Sequence, residues 1–389
     1  MRIIFFTHPP FLGSQSMPRF ARMLAEGMQN RGHETEVWTP EAKFYLLPVP
    51  QMFKKWMGYI DQYLVFPAQV RKRMAQYGNN TLFVFTDQAL GPWVPLVAKR
   101  PHVIHCHDFL AQQSALGQIS ENPTSRSGQQ YQAYIRSGYQ QGKNFISVSH
   151  KTQQDLHQFL GQIPPKSLMV YNGLNQKFIA GNTLSARKNL SAQLSLDLNN
   201  GYLLHVGGNQ WYKNRTGVIE IYNEWRKTAA QSLPLLMIGA VPDAKLTTQY
   251  ESSPYKEDIH LVSGKSDDVV KLAYQGAAVF LFPSLAEGFG WPIAEAMASG
   301  CPVITTGEAP MTEVGGEVAF YIPRRPQTGA EVQAWAQDAA TQVSRILAFP
   351  AADREQQVAK GLINAARFNA DGTLNRLEHI YQDILQAAL

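Results

Sequence analysis

Residues 282–302 read FPSLAEGFGWPIAEAMASGCP. It begins as an apolar strand, passes through a glycine loop at 288–290, continues as a helix and returns to an apolar strand. Pro292 suits the first turn of the helix, where its missing N–H leaves no hydrogen bond unmade. Gly300 and Pro302 together end the helix. The stretch therefore predicts a strand–loop–helix–strand unit of a parallel α/β sheet.

Two glutamates stand eight positions apart in this unit. Glu287 precedes the glycine loop at the end of the strand, and we place Glu295 in the first turn of the helix. The loop allows backbone to approach a ligand closely, and the amides at the start of a helix attract an anion. The two oxygens of Glu295 suit both hydroxyls of a ribose. The alternative is an ordinary packing unit with two solvated glutamates.

Short apolar segments alternate with longer amphipathic ones on both sides of the polar stretch 181–200. The predicted strands are 2–6, 34–38, 82–86, 102–105, 144–148 and 168–171 in the first run, and 202–206, 235–238, 259–262, 278–282, 302–305 and 319–322 in the second. Alternation of strands and helices indicates parallel sheets covered by helices on both faces. A length of 389 residues suits two such domains. We predict an N-terminal domain at 1–180, a linker at 181–200 and a C-terminal domain at 201–372.

Composition narrows the class of protein. Only 17% of the residues are charged, and no apolar run reaches the ~20 residues that a spanning helix needs. Met1 and Arg2 run directly into a predicted strand, without the apolar core of a secretory leader. Cys106 and Cys301 are far apart and provide no metal or disulfide framework. We expect a cytoplasmic protein, without a metal or cofactor of its own.

The arrangement of Glu287 and Glu295 around a Gly-Phe-Gly loop resembles the E-x7-E signature of family-4 retaining glycosyltransferases. The resemblance implies the α/β GT-B fold, in which two facing Rossmann-like domains with parallel sheets border an interdomain cleft. It also implies that the last helix, 373–389, packs back on the N-terminal domain. In such enzymes the second glutamate binds the nucleotide ribose and the first lies beside the donor sugar, near the reacting carbon.

The same resemblance extends to the loop between the two glutamates. It implies that Gly288, Phe289, Gly290 and Trp291 bring backbone amides to the sugar hydroxyls and the phosphate. Base recognition in this fold is largely by backbone, near segments such as 262–265, which gives Gly264 and Lys265 as candidate donor contacts.

Two further candidates lie in the N-terminal half. Gly13, in the sequence FLGSQ at 11–15, resembles the family's glycine loop, which faces the donor phosphate and the acceptor. His107, in HCHD at 105–108, resembles the family histidine that faces the transferred sugar. Without this resemblance, a glycine in a strand–helix turn and a histidine at a strand end more often have a structural role than a role in ligand binding.

The sequence GGNQWYKNR at 207–215 follows the first strand of the second half. Related families place an arginine and a lysine here to neutralise the diphosphate. Lys213 matches the lysine, whereas Asn209 stands at the usual place of the arginine, and Arg215 is the candidate substitute. Without compensation, stabilisation of the leaving group would be weaker and donor affinity would fall. The alternative for Lys213 is a solvated loop lysine.

Taken together, the resemblance implies a retaining, metal-independent transfer of a hexose-type sugar from a UDP- or GDP-linked donor to a sugar or lipid-linked acceptor, in polysaccharide or glycolipid synthesis. Two alternatives remain open. One is a degenerate transferase that only binds a nucleotide, and the other is a GT-B synthase or epimerase that acts on a soluble small molecule.

The segment 43–76 has an unusual surplus of positive charge. Six basic residues oppose the single acidic residue Asp61, and they alternate with aromatic side chains. Basic residues near an anionic leaflet contribute about 1 kcal/mol each, and Trp and Tyr favour the interface. Our hypothesis is peripheral contact with the inner face of the membrane or with a lipid-linked acceptor. The alternative is that the aromatic residues pack onto the N-terminal sheet. No motif for binding nucleic acid is present.

Overall fold

The computed structural model describes residues 1–13, 16–174 and 176–388. Within them, twelve strands form two sheets of six, parallel throughout. Every predicted strand is present, with boundaries shifted by at most two residues. The chain divides into two compact units, Met1–Asn175 with Ala370–Leu389, and Gln176–Asn369.

The first unit contains the first six strands of the chain. Strands β1–β6 span Arg2–Phe6, Glu34–Trp38, Thr81–Phe85, His102–Cys106, Asn144–Ser147 and Lys166–Met169. Helices α1–α6 span Ser16–Gln29, Gln51–Ile60, Phe66–Met74, Leu110–Ala115, Arg126–Tyr139 and His150–Leu160. A π-helical segment at Asp61–Val65 joins α2 to α3, and 3-10 segments lie at Pro10–Leu12, Phe44–Leu46 and Gln88–Leu96.

The strand order in the first sheet is β2-β1-β3-β4-β5-β6. The direction of winding therefore reverses between β1 and β3, which makes the carboxyl ends of these two strands a topological switch point. Strands β3 and β4 are buried along their whole length, which explains their continuous apolar sequences. The core beside them is aromatic, and Phe6 stacks on Phe85 with ring centroids 4.7 Å apart.

The second unit repeats the plan with a different order. Strands β7–β12 span Leu203–Gly207, Leu235–Gly239, Ile259–Ser263, Val279–Phe282, Val303–Thr306 and Phe320–Ile322. Helices α7–α14 span Thr183–Leu194, Arg215–Thr228, Ala244–Glu251, Asp267–Gly276, Trp291–Ala298, Met311–Gly315, Gly329–Leu347 and Ala351–Ala365. 3-10 segments lie at Trp211–Lys213, Lys256–Asp258 and Ala366–Phe368. The strand order is β12-β11-β10-β7-β8-β9, so the switch point lies between β7 and β10.

The last helix of the chain belongs to the first unit. This helix, α15, spans Ala370–Gln386, and Leu389 lies outside the described residues. The Tyr381 hydroxyl is 2.7 Å from His105 Nε2, and Thr373 Oγ1 donates to the Tyr171 carbonyl over 3.1 Å. No helix in the described part of the chain combines the length and the apolar character that crossing a bilayer requires.

The stretch 181–200, which the sequence analysis interprets as a linker, contains the helix α7 of the second unit. Ala186 and Leu190 are buried, and Arg187 Nε donates to the Gly276 carbonyl over 2.8 Å. Because so few side chains of α7 are buried, its sequence lacks the apolar stripe that indicates a helix.

Candidate functional site

The second sheet brings two distant loops together. Strands β7 and β10 are neighbours, and the loops that follow them leave the same edge because the carboxyl ends of parallel strands coincide. The loop after β7 contains Lys213, and the loop after β10 contains Glu287. Ligands of open α/β sheets bind outside the carboxyl ends of the strands at such a switch point. The fold therefore places both residues where a ligand site is expected.

Hydrogen bonds join these two loops. The Leu285 amide donates to the Tyr212 carbonyl over 2.7 Å, and Asn214 Nδ2 donates to the Pro283 carbonyl over 2.9 Å. Asn214 has a left-handed backbone with φ of 50°, a conformation that Asn tolerates better than most residues. Thr306 Oγ1 donates to the Ser284 carbonyl over 2.7 Å and so connects the next strand, β11. The loops therefore hold their side chains in a defined arrangement.

Lys213 and Glu287 form an ion pair at the centre of this arrangement. Lys213 Nζ lies 2.7 Å from Glu287 Oε1, and Ser284 Oγ donates to the same oxygen over 2.6 Å. The side chains of Lys213 and Glu287 are only 14% and 8% exposed. Nζ also lies 4.9 Å from the centroid of the Phe282 ring, a distance typical of a cation–π contact. Lys213 is thus a fixed and mostly buried cation rather than a solvated loop lysine.

Glu295 lies on α11, near the same cation. Helix α11 begins at Trp291, so Glu295 is its fifth residue. The prediction that Glu295 lies in the first turn of the helix was wrong. The helix begins directly after Gly290, so its first turn ends before Glu295. Tyr274 donates its hydroxyl to Glu295 Oε2 over 3.0 Å. Burial raises the pKa of Glu295 to about 7, although the Tyr274 hydrogen bond and the charge of Lys213 oppose this rise.

The glycine loop between the two glutamates is anchored by an aromatic side chain. Phe289 is buried, and its ring packs edge-on against Trp291 and Phe368, with centroids 5.9 and 5.4 Å apart. Gly290 has φ of 106°, a conformation that L side chains rarely adopt. Together with Gly288, these residues fix the backbone between the glutamates where α11 begins.

Asn209 and Arg215 form a separate group on the β8 side of the loop. Arg215 Nη1 donates to Asn209 Oδ1 and, over 3.1 Å, to the Ala240 carbonyl, while Asn209 Nδ2 donates to the Val241 carbonyl over 2.7 Å. Arg215 is buried, and its Nε and Nη2 have no hydrogen-bond partner among the described residues. Unpaired buried donors of this kind are costly and require an explanation. Arg215 therefore supplies a guanidinium next to the position at which an arginine was expected.

Gly264 and Lys265 follow β9, the edge strand of the second sheet, and both are exposed. Their loop leads into α10, whose first residue, Asp267, is close enough to Glu295 to contribute to its raised pKa. The start of α10, which follows this loop, therefore lies within electrostatic range of Glu295.

The remaining two predicted residues lie in the first unit. His107 is buried after β4, and its Nε2 donates to the Thr86 carbonyl over 2.9 Å. Burial lowers the pKa of His107, and this tautomer makes Nδ1 an acceptor. Gly13 follows the first 3-10 segment with φ of 74° and donates its amide to the Pro10 carbonyl. Ser14 and Gln15, the rest of that predicted loop, lie outside the described residues.

Sequence reasoning missed three groups that the structure adds. Tyr274 appears in the sequence only as an apolar position on a helix, and Ser284 as a loop residue. The third is a pair in the first unit, in which His8 Nε2 lies 2.9 Å from Asp87 Oδ2. No local sequence pattern identifies these partners. The Tyr274–Glu295 and His8–Asp87 contacts join positions that are distant in the sequence, and the Ser284–Glu287 contact depends on the conformation of the loop. Among the described residues, no group of three or more His, Cys, Asp and Glu is arranged to bind a metal ion.

Comparison with known proteins places this geometry in a family. The model of the glycosyltransferases of family 4 matches residues 17–178, and the model of glycosyl transferases group 1 matches residues 186–319. O-antigen chain mannosyltransferase B of Escherichia coli is 30% identical over 122 residues, which cover 31% of this chain and 32% of that enzyme. The matched segments cover less than two thirds of each curated relative.

Solved structures match over nearly the whole chain. Sucrose-phosphate synthase from Thermosynechococcus elongatus has a TM-score of 0.75 at 16% identity and covers 100% of both chains. Anabaena Alr3699/HepE, solved with UDP and glucose, has a TM-score of 0.71 at 15% identity and covers 98% of this chain and 100% of the other. At such identities, these matches establish the fold alone. Together the two family models match most of both units, and the chain therefore belongs to the family 4, group 1 glycosyltransferases, a class of transferases with the GT-B fold.

Proposed function

We propose that this chain transfers a hexose-type sugar from a nucleoside-diphosphate sugar to an acceptor hydroxyl in polysaccharide or glycolipid synthesis. The observation that carries the proposal is the meeting of Lys213, Glu287 and Glu295 at the switch point of the second sheet. The similarity to a mannosyltransferase and to a protein solved with UDP and glucose agrees with a nucleotide-sugar donor.

The chemistry of the transfer matches this set of charges. Departure of a nucleoside diphosphate requires stabilisation of developing negative charge, and a fixed cation in a water-poor site supplies it efficiently. Lys213 is such a cation, and the buried guanidinium of Arg215 adds positive charge on the β8 side. We propose that Lys213 and Arg215 take the place of a metal ion, so that donor binding is independent of divalent cations.

The two glutamates have different partners, which supports different roles. Glu295 accepts a hydrogen bond from Tyr274, and its carboxylate is suited to the two ribose hydroxyls of the donor. Lys213 neutralises Glu287, and Ser284 donates a hydrogen bond to the same oxygen, an arrangement that suits stabilisation of the donor sugar better than nucleophilic attack. We propose retention of the anomeric configuration, on the basis of the family resemblance, without a covalent bond to Glu287.

Thermal stabilisation by UDP, GDP and ADP, each with and without EDTA, tests the donor site. A nucleotide at about 100 times its Kd adds about 2.7 kcal/mol to the free energy of unfolding. We expect one nucleotide to stabilise the protein equally in both conditions, and Glu295→Gln to abolish most of the shift. Glu313→Gln, on α12, is the matched control and should retain it. Loss of the shift in EDTA would contradict metal independence.

Two alternatives give other outcomes. A degenerate protein would bind the nucleotide but release no nucleoside diphosphate from any donor sugar, with or without an acceptor. A synthase or epimerase of the same fold would convert the donor with a soluble small molecule and show no preference for a glycan acceptor. Product analysis by mass spectrometry separates both from the proposed transferase.

The acceptor side of the proposal concerns segment 43–76. Leu46, Met52, Phe53 and Trp56 are exposed, whereas Phe66 is buried in the core, so only part of the segment packs onto the sheet. Asp61 holds the exposed turn in place by accepting hydrogen bonds from the amides of residues 43–45. We name residues 43–56 the apolar-basic surface, and we propose that it contacts an anionic membrane surface on the cytoplasmic side.

Co-sedimentation with phosphatidylglycerol vesicles tests this contact. We expect binding at low salt that weakens as the salt concentration rises. The double variant Met52→Ser/Phe53→Ser should lose most of the binding, whereas Ile163→Ser, which is exposed elsewhere in the first unit, should retain it. Absence of binding at low salt would refute the membrane contact and leave the donor site unaffected.

A further inference from the structure

The first sheet has its own polar centre at its switch point. His8 follows β1 and Asp87 follows β3, and His8 Nε2 lies 2.9 Å from Asp87 Oδ2. Burial alone would raise the pKa of Asp87, but the hydrogen bond and the charge of His8 hold that pKa below its ordinary value. The carboxylate therefore accepts a hydrogen bond from the Nε2–H group. This bond holds the partly exposed imidazole in one orientation and leaves Nδ1 as its second polar atom.

Four tyrosines of α2, the π-helical segment and α5 pack on one another, and we name Tyr59, Tyr63, Tyr131 and Tyr134 the tyrosine cluster. The rings of Tyr59 and Tyr131 stack with centroids 5.5 Å apart, and Tyr63 meets Tyr134 edge-on at 5.7 Å. The hydroxyls of Tyr63 and Tyr131 are 2.6 Å apart, so one donates to the other and the second proton is available to another acceptor. Tyr134 is 48% exposed, and Trp56, which packs on Tyr59, is 59% exposed.

Backbone packing connects the elements of the cluster to the segment that Asp87 caps. Asp87 caps the 3-10 segment Gln88–Leu96, and α5, which carries two of the tyrosines, packs directly on this segment. A Cβ on Gly138 would lie 2.1 Å from the Gly91 carbonyl oxygen, so the two backbones are in direct contact. Trp93 Nε1 donates to the Gln62 carbonyl over 2.9 Å and fixes the π-helical segment to the same element. Burial raises the pKa of Tyr131, and the nearby charge of Asp87 raises it further.

From these contacts we infer that the first unit has a saccharide-binding site, formed by the tyrosine cluster together with His8, which Asp87 orients. Resting on the proposed function, this inference names the chemical class of the acceptor as a neutral sugar ring. The C–H faces of a pyranose pack on aromatic rings, whose faces carry partial negative charge. Its hydroxyls form hydrogen bonds with His8 Nδ1 and accept from the Tyr63–Tyr131 pair.

The charge of the site favours a sugar over an anion. The phenols remain protonated at neutral pH, and the charge of Asp87 is directed at His8. Two cations of the neighbouring segment have contacts of their own, since Lys54 donates to the Tyr45 and Leu47 carbonyls and Lys55 lies over the Tyr59 ring. The hydrogen-bonding groups of the cluster itself are neutral phenols, which complement the hydroxyls of a neutral sugar.

Saturation-transfer NMR on the full chain tests the site. The probes are methyl α-mannopyranoside and methyl α-glucopyranoside, and the octyl glycosides of the same sugars represent a lipid-linked source. We expect transfer to the ring protons of at least one methyl glycoside, and a loss of at least about fivefold in Tyr59→Ser, Tyr134→Ser and His8→Ala. Ile163→Ser is the matched exposed control, and it should transfer as the wild type does.

The outcomes distinguish a free or terminal sugar from a lipid-linked one. Transfer to the methyl glycosides supports a free or terminal sugar, and stronger ring transfer to the octyl glycosides supports a lipid-linked one. Transfer confined to the octyl chain, no transfer at all, or equal transfer in all variants would overturn the inference. Failure of the proposed function is separate, because it appears as absent nucleotide stabilisation in the second unit. His8→Ala and Tyr134→Ser should leave that stabilisation unchanged, and retained folding is checked by the same melting curves.

Discussion

The two switch points of this protein contain different chemistry on similar scaffolds. At the second, the loops after β7 and β10 bring Lys213 and Glu287 to within 2.7 Å, with Glu295 close by. At the first, the residues after β1 and β3 bring His8 and Asp87 together, and the same unit contains the tyrosine cluster. One centre is an array of buried charges, and the other is mainly aromatic and neutral.

This difference indicates what each site binds. A buried cation held in place by an ion pair suits an anionic ligand, because its position changes little when the ligand binds. Aromatic faces with an oriented imidazole suit a neutral ligand with many hydroxyls. The parallel sheet determines where both sites lie, whereas the loops and helices determine their chemistry.

Removing the cation of the second site should have the largest effect. Lys213→Met is expected to lower kcat by about 10²–10³-fold, because the developing charge of the leaving diphosphate loses its fixed partner. Release of nucleoside diphosphate from the donor sugar measures it. Lys227→Met, which removes an exposed lysine paired with Glu224, is the control and should retain activity. A variant of Lys213 with turnover within twofold of the wild type would refute its assigned role.

Removing the carboxylate of Glu287 should affect the affinity for UDP and kcat differently. In Glu287→Gln, Lys213 loses its competing carboxylate, so we expect UDP to bind as well as before or more tightly, while kcat falls about 10²-fold. Isothermal titration calorimetry and steady-state kinetics give the two values. A tenfold weaker affinity for UDP would mean that Glu287 contributes to donor binding rather than competing with it.

A change in the first site should affect the acceptor and not the donor. Asp87→Asn keeps a side-chain oxygen for the cap on Ala89 but removes the charge that orients His8. We expect the KM for the acceptor to rise about tenfold, while the KM for the donor is unchanged. Asp383→Asn, which alters an exposed carboxylate of α15, is the matched control. An equal change in the KM for the acceptor and the KM for the donor would contradict the assignment of acceptor and donor to separate sites.

The smallest effect concerns pH. Because burial raises the pKa of Glu295 to about 7, the ribose hydroxyls meet a mostly protonated partner at pH 6 and mostly a carboxylate at pH 8. UDP should therefore bind several-fold more tightly at pH 8, and Glu295→Gln should lose this dependence.

The same shift makes a prediction for stability. A raised folded-state pKa stabilises the free protein at low pH, and this contribution is lost as the pH rises through about 7. The melting temperature of Glu295→Gln should thus rise relative to the wild type from pH 5 to pH 8. A parallel pH dependence of the two proteins would contradict this assignment.

The sequence predicted all twelve strands, because buried parallel strands give continuous apolar runs with sharp ends. The sequence was a poorer guide to helices that lack a clear apolar face. The helix α7 was interpreted as a linker, and the start of α11 was misjudged by enough to place Glu295 in the wrong turn. In both cases tertiary packing, not local pattern, determines the boundary.

Local sequence patterns specify most of the strands and helices, their alternation in two domains and the charged residues near the glycine loop. Which of these residues meet depends on the tertiary structure. Lys213 and Glu287 are 74 positions apart, and His8 and Asp87 are 79 apart. These pairs form because β10 is inserted beside β7 and β3 beside β1, and strand order depends on long-range pairing that no local pattern encodes.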